Sequence, residues 1–380
     1  MFKDSTVIEN KIRPVSRTAE MVNLCKGCRI CQKECDFLKT HGNPGTIAGQ
    51  YEADPDRWRI ISFECSLCGL CSSVCPRNLD PSALFHDFRK ESVASNQVDF
   101  QIYQGLLNYE KKGTSKRYTC YSLPETCDTV FFPGCTLTGT RPEITLKTHS
   151  YLKKHVPNVG MVLDCCTKPS HDLGRENYFN LMFSEMKEFL LKNEIKTVIV
   201  ACPNCHKIFN SFGKPLKVNT VYDVMARHGL FDHKLNGSIA LHDPCPVRTQ
   251  TLIHESVRSL VRARGLDIIE TPHTGKNTFC CGEGGAVGCV STGFSTEWAD
   301  KRAMEAHPHK IATYCAGCVN HLSRKSSAFH VLDLVFDPEN AVKGKAKVSR
   351  APFTYLNRLK VKGKLKKLPA STLKERPLTF

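Results

Sequence analysis

The chain has 380 residues, is 41% hydrophobic and carries a formal net charge of +16. This length leaves room for two or three domains with sizeable cores. The 21 cysteines are too sparse, and odd in number, for a small disulfide-stapled scaffold, so we expect intracellular thiolate ligands rather than disulfide bridges. Residues 1–14 lack a basic segment followed by an apolar one, and no run approaches the roughly 18 apolar residues of a membrane span. A cytoplasmic protein without direct transmembrane insertion is therefore expected.

Residues 1–115 contain two ferredoxin-type motifs with the spacing C-x2-C-x2-C-x3-C. Their members are Cys25, Cys28, Cys31 and Cys35, and Cys65, Cys68, Cys71 and Cys75. Residues 17–24 and 82–92 have helical spacing, whereas residues 42–49 look like a loop because of their glycines. These patterns predict a helical two-cluster ferredoxin domain rather than a small β-rich one.

Each motif suits a [4Fe-4S] cluster because three closely spaced thiolates can bind three irons from one loop. In two-cluster ferredoxins the fourth cysteine of each motif binds the other cluster. We therefore predict two ligand sets, which are Cys25, Cys28, Cys31 with Cys75, and Cys65, Cys68, Cys71 with Cys35. The alternative is structural zinc, which prefers two C-x2-C pairs separated by a longer loop.

A polar connection at residues 111–117 predicts a domain boundary, followed by a linker over residues 116–127. From residue 128 short apolar strands alternate with amphipathic helices. Expected strands cover residues 129–132, 197–200, 238–241 and 311–314, and expected helices cover residues 143–154, 178–192, 256–264 and 297–306. Each strand leads into a cysteine, and open α/β sheets form their sites at the carboxyl ends of strands.

A set of five cysteines occurs twice in this region, as a lone cysteine, an adjacent pair and C-x2-C. The members are Cys135, Cys165, Cys166, Cys202 and Cys205, and Cys245, Cys280, Cys281, Cys315 and Cys318. The copies are offset by about 110 to 115 residues, which predicts two homologous α/β lobes, 128–235 and 236–338. The whole chain is then an α+β multidomain protein. We expect each pair on a turn, each C-x2-C at a helix start, and the segment Gly282-Glu283-Gly284-Gly285 where the backbone approaches the ligands.

The positive charge is concentrated in a basic tail, which we place at residues 339–380. Residues 341–380 hold 12 lysines and arginines against one acid. The simplest interpretation is a solvated and partly disordered extension. The alternative is docking onto an acidic partner or an anionic membrane surface. No nucleic-acid-binding motif accompanies the charge, so we expect no nucleic-acid partner.

The five-cysteine sets resemble the cysteine-rich CCG domains of the heterodisulfide reductase family. Residues 1–115 are similar to the small ferredoxin-type subunit of that enzyme, and residues 128–336 are similar to its catalytic subunit. The two parts are fused as they are in the iron-sulfur subunits of glycolate oxidase, anaerobic glycerol-3-phosphate dehydrogenase and lactate-utilisation systems. The resemblance implies two noncubane [4Fe-4S] clusters that bind and cleave a disulfide, one on each set. Ordinary cubic clusters, zinc on four cysteines, or a metal-free redox pair remain alternatives.

One departure from the family concerns Thr167, which follows the first cysteine pair where the family has glycine. The second lobe is therefore the expected active site, with Cys245, Cys280, Cys281, Cys315 and Cys318 at its reactive centre.

The histidines next to the motifs are expected to shape the sites by hydrogen bonding; they are His171, His206, His242 and His321. The cysteines outside the sets, which are Cys120, Cys127 and Cys289, are expected to be ordinary buried or loop residues.

These features favour an iron-sulfur oxidoreductase or electron-transfer subunit that handles a disulfide, thiol or quinone-linked step. We expect a redox partner, either a flavoprotein or a membrane-associated subunit, and any contact with the inner face of the membrane would be through it. One alternative is a non-catalytic subunit of a flavin-dependent glycolate, lactate or glycerol-3-phosphate dehydrogenase. A redox-sensing nucleic-acid-binding regulator is the alternative from another class.

Overall fold

The structure of the protein is a computed structural model that describes residues 16–229 and 234–377. Residues 1–14, on which the expectation about a leader rests, lie outside the described residues. The longest described helix has 17 residues. In neither described range is a helix both long enough and apolar enough to pass through a membrane.

The N-terminal part is helical, as the sequence predicts. Its helices are α1 (Arg17–Leu24), α2 (Ile30–Glu34), α3 (Asp36–His41), α4 (Pro44–Tyr51), α5 (Pro55–Ile61), α6 (Leu70–Ser73), α7 (Pro81–Ala94) and α8 (Gln104–Gly113). Ser16 and Asp80 begin α1 and α7 as N-caps, because their side-chain oxygens accept backbone N–H groups of the first turn. Buried Trp58, Phe85 and Phe88 pack together where α5 meets α7.

The loop predicted for residues 42–49 is wrong, because α4 begins at Pro44. The side chain of Asn43 caps this helix by accepting a hydrogen bond from Thr46 N at 3.0 Å. Proline suits the first helical position because its missing N–H has no partner to lose there. Glycine is needed at position 45 because of close packing and not because of a loop. A Cβ at this position would lie 3.0 Å from Cys25 Sγ.

The first lobe is built on a sheet with helices around it. Its elements are strands β1 (Cys120–Leu123), β2 (Thr129–Phe132), β3 (Gly160–Leu163), β4 (Thr197–Val200) and β5 (Lys217–Thr220), and helices α9 (Cys135–Thr140), α10 (Pro142–His155), α11 (Lys168–Asp172), α12 (Glu176–Lys192), α13 (Pro203–Phe212) and α14 (Val221–His228). The strand order is β1-β3-β2-β4-β5, in which β1 is antiparallel to β3 and the other pairs are parallel.

The second lobe repeats this arrangement. Its elements are β6 (Ser238–His242), β7 (Asp267–Ile269), β8 (Ile311–Thr313) and β9 (Ala328–His330), with α15 (Thr251–Ala263), α16 (Thr292–Ala306), α17 (Ala316–Leu322) and α18 (Val331–Phe336). All four strands are parallel in the order β7-β6-β8-β9. Because β3-β2-β4-β5 has the same order in the first lobe, the topology agrees with the duplication predicted from the cysteine spacing.

The C-terminal segment is folded, so the expectation of a solvated and partly disordered tail is wrong for residues 339–377, the described part of that tail. It forms α19 (Pro338–Val342), α20 (Phe353–Leu365) and strand β10 (Thr372–Lys374). One face of α20 is buried, with the residues Thr354, Arg358, Val361, Lys362 and Leu365. β10 pairs antiparallel with β1 and extends the first sheet to six strands. The high lysine content hid this helix, because its buried face itself includes the charged residues Arg358 and Lys362.

The linker expected over residues 116–127 also requires correction. This segment contains β1, which lies inside the six-stranded sheet between β10 and β3. The polar connection predicted at residues 111–117 begins as the last turn of α8, which ends at Gly113. The ferredoxin-type part is therefore followed at once by a sheet strand of the first lobe.

Candidate metal centres

The eight ferredoxin-type cysteines form two groups. These groups are Cys25, Cys28, Cys31 with Cys75, and Cys65, Cys68, Cys71 with Cys35. The first group borders a cavity of about 200 Å³ beside α1 and the start of α4. The fourth cysteine of each motif thus lies with the other motif, which is the placement that swapped ligation requires.

In each lobe the lone cysteine lies in a turn after a strand, the adjacent pair lies in a loop, and the C-x2-C motif lies at the start of a helix. Cys202 and Cys315 are the N-cap residues of α13 and α17, as the sequence predicts. Gly134 has φ +82° in the turn before Cys135, and a Cβ there would lie 3.2 Å from Cys205 Sγ. Only glycine combines this backbone conformation with so close an approach to a sulfur.

The two sets face one cavity of about 170 Å³ between the lobes. Nine of their ten cysteines line it, and these are Cys135, Cys165, Cys166, Cys202, Cys205, Cys245, Cys281, Cys315 and Cys318. The thiols of Cys202 and Cys315 are hydrogen-bonded neighbours across the lobe boundary. The tenth cysteine, Cys280, contacts the thiol of Cys68 in the ferredoxin part. Three of the four cysteine groups are therefore in direct contact in a row.

The packing of the thiols alters their acidities. The hydrogen bond from Cys280 lowers the pKa of Cys68 to about 6, although burial opposes the shift. A hydrogen bond from Cys165 and, more weakly, the charge of Arg358 lower the pKa of Cys135 to about 7 against the same opposition. Since the thiolate is the form that binds metals, each of these sites contains a thiol that is disposed to lose its proton.

Arg89 of α7 joins the ferredoxin part to both lobes and is fully buried. Among the described residues, its guanidinium donates only to backbone carbonyls, at 2.5–3.1 Å. The acceptors are Ser62 and Cys65 in the ferredoxin part, Asp172 in the first lobe and Gly285 in the second. Hydrogen bonds from a charged donor are stronger than neutral ones, so this residue fixes the second ferredoxin motif against both lobes.

The glycines after the second cysteine pair make this docking possible. A Cβ on Gly284 would lie 2.6 Å from Ser66 O, and a Cβ on Gly285 would lie 2.7 Å from Cys65 O. The sequence predicts that this run brings the backbone close to the cysteines of its own set. At these two positions it instead admits the ferredoxin loop that carries Cys65.

Three ionisable side chains on the cavity wall, those of Lys168, Asp172 and Glu283, are not predicted from the sequence. Lys168 is ion-paired with Asp172, and this contact holds the pKa of Asp172 well below its usual range although burial opposes it. Glu283 lines the same cavity, directly after the Cys280–Cys281 pair and Gly282. Their positions beside a cysteine pair were the signal available in the sequence, since Lys168 follows Thr167 and Glu283 lies inside the glycine run.

The histidines that adjoin the motifs are placed around the cavity rather than on its wall. His321 contacts Ser295, and His171 contacts Asp172. His206 is buried on α13, and His242 is buried at the end of β6. The histidine among the residues that line the cavity is His330.

The three cysteines outside the sets have separate surroundings. Cys120 is buried in β1. Cys127 is buried, and its thiol donates to Thr129 O at 3.2 Å. Cys289 is exposed.

Thr167 keeps the turn that glycine makes in the second lobe. Its φ is +53°, and that of Gly282, which follows the second pair, is +94°. A β-branched residue is unfavourable in this region, so the substitution is accommodated by strain rather than by a different turn. The side chain is fully buried, and Oγ1 has no hydrogen-bond partner among the described residues.

The residues present fit iron-sulfur clusters. Buried donors without a partner among the described residues occur beside three of the four cysteine groups, and they are Ser66 Oγ, Thr167 Oγ1, the single ring N–H of neutral His242 and Arg358 Nη1. Such orphaned donors are rare in folded proteins, and the sulfur atoms of an anionic cluster are suitable acceptors for them.

No three His, Cys, Asp or Glu side chains in residues 16–229 and 234–377 surround a position for a single metal ion.

Comparison with known families agrees with this donor set. Residues 24–80 match the family described as 4Fe-4S dicluster domain. Residues 129–210 and 239–323 each match the cysteine-rich domain CCG. The chain is a heterodisulfide-reductase-like iron-sulfur protein. The two CCG matches fall on the two lobes, and the dicluster match contains all eight ferredoxin-type cysteines.

Several curated proteins are similar to this CCG-domain protein. An uncharacterized iron-sulfur protein of Methanococcus maripaludis is 25% identical over 69% of this chain and 59% of its own length. One subunit of the fumarate reductase (CoM/CoB) of Methanothermobacter marburgensis is 23% identical over 68% of this chain and 56% of its own. One subunit of the dihydromethanophenazine:CoB–CoM heterodisulfide reductase of Methanosarcina mazei is 20% identical over 70% of this chain and 74% of its own.

The chain therefore spans less than two thirds of the first two relatives. Among solved structures, a glutamate racemase of Bacillus anthracis is 13% identical over 59% of this chain and 84% of its own, with a TM-score of 0.27. That likeness is too weak to bear on the fold.

Proposed function

We propose that this iron-sulfur protein holds four clusters and is the redox-active part of an oxidoreductase. Two [4Fe-4S] clusters would be held by the two ferredoxin-type groups, and two noncubane [4Fe-4S] clusters by the five-cysteine sets. The clusters would supply one-electron transfer and, in the second lobe, iron that binds sulfur. The four groups of thiols, and the orphaned donors beside three of them, support this inventory.

The row of cysteine contacts supports an order for the electrons. Cys68 touches Cys280, which links the second ferredoxin group to the second lobe. Cys202 touches Cys315, which links the second lobe to the first. Cys28, in the first ferredoxin group, is exposed, and this is where a redox partner would dock. We propose a flavoprotein or a membrane-associated subunit as that partner, with any membrane contact of this chain made through it.

The observation that carries the proposal is the cavity that both five-cysteine sets share. A small disulfide bound there would lie between the two sets and beside the Lys168 ammonium, which stabilises a thiolate product electrostatically. Two electrons from the partner and two protons would convert the disulfide into two thiols, with the S–S bond broken. Cys245, Cys280, Cys281, Cys315 and Cys318 would form the reactive centre, because this set has the direct contact with the ferredoxin part.

The second candidate is a non-catalytic subunit of a flavin-dependent glycolate, lactate or glycerol-3-phosphate dehydrogenase. The exposed Cys28 favours this candidate as much as the first one, since an exposed cysteine of the first ferredoxin group suits electron exchange with another chain. In this case the five-cysteine sets would pass electrons on, to a quinone-linked step or another carrier, without breaking a substrate bond.

Iron analysis and a disulfide assay test the proposal. The anaerobically reconstituted chain should contain about 16 iron atoms, against about 8 if only the ferredoxin groups are filled. It should reduce a small disulfide with a low-potential donor and no other protein. The Cys281→Ser variant should lose this activity, and the variant Cys289→Ser, at an exposed cysteine outside the sets, should keep it. Reduction that requires a copurifying flavoprotein would instead support the second candidate.

A further inference from the structure

The C-terminal helix α20 brings Arg358 into the first five-cysteine site. The side chain is 3% exposed and borders a narrow space together with Cys135 and Gly134. Its Nη2 donates to Gly113 O at 3.4 Å. Its Nη1 has no hydrogen-bond partner among the described residues. A buried donor of a charged group is thus left beside the cysteines without an acceptor from the chain.

The guanidinium is held firmly in this position. The rings of Tyr109 and Tyr118 lie with their centroids 5.2 Å from Arg358 Cζ, at a distance where cation–π attraction is favourable. Gly113 leaves the necessary room, because a Cβ there would lie 3.0 Å from Arg358 Nη2 and 3.2 Å from the Cβ of Cys165. Gly113 therefore lies close to both Arg358 and Cys165 on one side of the first set.

The corresponding side of the second set is covered differently. The counterpart of Cys165 by sequence order is Cys280, and it meets Cys68 of the ferredoxin part. The first set is therefore covered by a cation where the second set meets a cysteine of the ferredoxin part. The two lobes repeat each other in strand order but not in what covers their cysteines.

We propose that Arg358 is a positioning residue of the first five-cysteine site, whose Nη1 hydrogen-bonds to a sulfur atom there and whose charge makes that site easier to reduce. The inference rests on the proposed function, because it requires a cluster on Cys135, Cys165, Cys166, Cys202 and Cys205. A buried positive charge stabilises the more negative, reduced form of an adjacent anionic centre. An electron that arrives from the partner through Cys68 and Cys280 would then be held in the first lobe until a second electron arrives. The two electrons together would reduce the disulfide.

Redox titration of the full-length reconstituted chain tests the charge effect. The first-lobe signal is the electron paramagnetic resonance signal that the Cys135→Ser variant loses. In Arg358→Gln, the reduction equilibrium constant of this signal should fall at least tenfold, which corresponds to about 59 mV for a one-electron couple. Arg358→Lys, which keeps the charge, should restore most of that loss. Arg350→Gln, at an exposed position of the same segment, should match the wild type.

A second measurement uses the wild-type chain, so it does not depend on a variant that folds. With ¹⁵N-arginine incorporated, pulsed electron paramagnetic resonance should detect a ¹⁵N coupling on the first-lobe signal. An unchanged equilibrium constant in Arg358→Gln, or the absence of this coupling in the wild type, would overturn the inference and leave the proposed function intact. If no signal depends on Cys135 and iron is near the lower count, the proposed function itself fails in the first lobe.

Discussion

Arg376 Nε donates to Asp164 Oδ2 at 2.7 Å, and both side chains are almost completely buried. The carboxylate directly precedes the Cys165–Cys166 pair, and Asp164 Oδ1 also accepts from Cys165 N at 2.7 Å. The end of the chain is thereby tied to the loop that presents two cysteines of the first set. The basic segment has a structural role that its charge does not reveal.

Removal of this ion pair should destabilise the protein. We expect Arg376→Met to lower the free energy of unfolding by about 3–5 kcal/mol, because it leaves the Asp164 carboxylate buried without its cation. Anaerobic thermal unfolding measures the effect. Arg350→Met, which removes an exposed arginine from the same segment, should change stability by less than about 0.5 kcal/mol. Equal melting temperatures for the two variants would show that the pair contributes nothing.

Gly285 should be required for docking of the ferredoxin part on the second lobe. In Gly285→Ala the new Cβ would lie 2.7 Å from Cys65 O, at a residue whose φ is +61°. Overpacking and the left-handed conformation should together cost about 2–4 kcal/mol. Limited proteolysis should detect the loosened interface as faster cleavage between the two parts, alongside a lower melting temperature.

The matched control for that change is Gly293→Ala. A Cβ at Gly293 would have no atom of residues 16–229 or 234–377 within 4 Å, and the residue lies inside α16. Alanine is favoured over glycine in helices by about 0.5–1 kcal/mol, so this variant should be as stable as the wild type or slightly more stable. Similar proteolysis of the two variants would contradict the close contact at Gly285.

The buried His149 should make stability depend on pH away from the metal centres. Burial, and then the charge of Lys153, lower its pKa from 6.5 to about 4. The folded protein therefore holds this ring neutral while the unfolded chain protonates it, and stability is lost as the pH falls from about 6.5 toward about 4. Between pH 7.5 and 6.0 the loss from this group is about 0.8 kcal/mol.

His149→Gln should therefore reduce the drop in melting temperature between pH 7.5 and 6.0. The control is His307→Gln, because His307 is exposed and its replacement should leave the drop as it is in the wild type. A slope that is the same in all three proteins would show that His149 is not held neutral by folding.

Local patterns predicted the elements that precede the ligands. The strands at residues 129–132 and 197–200 have the predicted bounds, because short apolar runs between polar turns have few other solutions. The placement of Cys202 and Cys315 at helix starts was also predicted. The C-terminal helix was missed because its buried side chains include Arg358 and Lys362, and a buried charge cannot be distinguished from an exposed one by composition.

The contacts between cysteine groups could not be predicted from the sequence. Cys68 and Cys280 are more than 200 residues apart, and their contact depends on the docking of Arg89 and Gly285 between separate parts. The repeat of the five-cysteine sets predicted two similar sites. It did not predict that the sites share one cavity, because the repeat describes each lobe and not how the lobes face each other.

The central claim is that the two five-cysteine sets form one disulfide-binding redox centre. The most direct measurement is electron paramagnetic resonance of the anaerobic chain, poised at a fixed potential, with and without a saturating small disulfide. We predict that the disulfide shifts a cluster signal in the wild type and in Cys289→Ser, and that Cys281→Ser lacks this response. A wild-type spectrum that is identical with and without disulfide, at full iron content, would contradict the account.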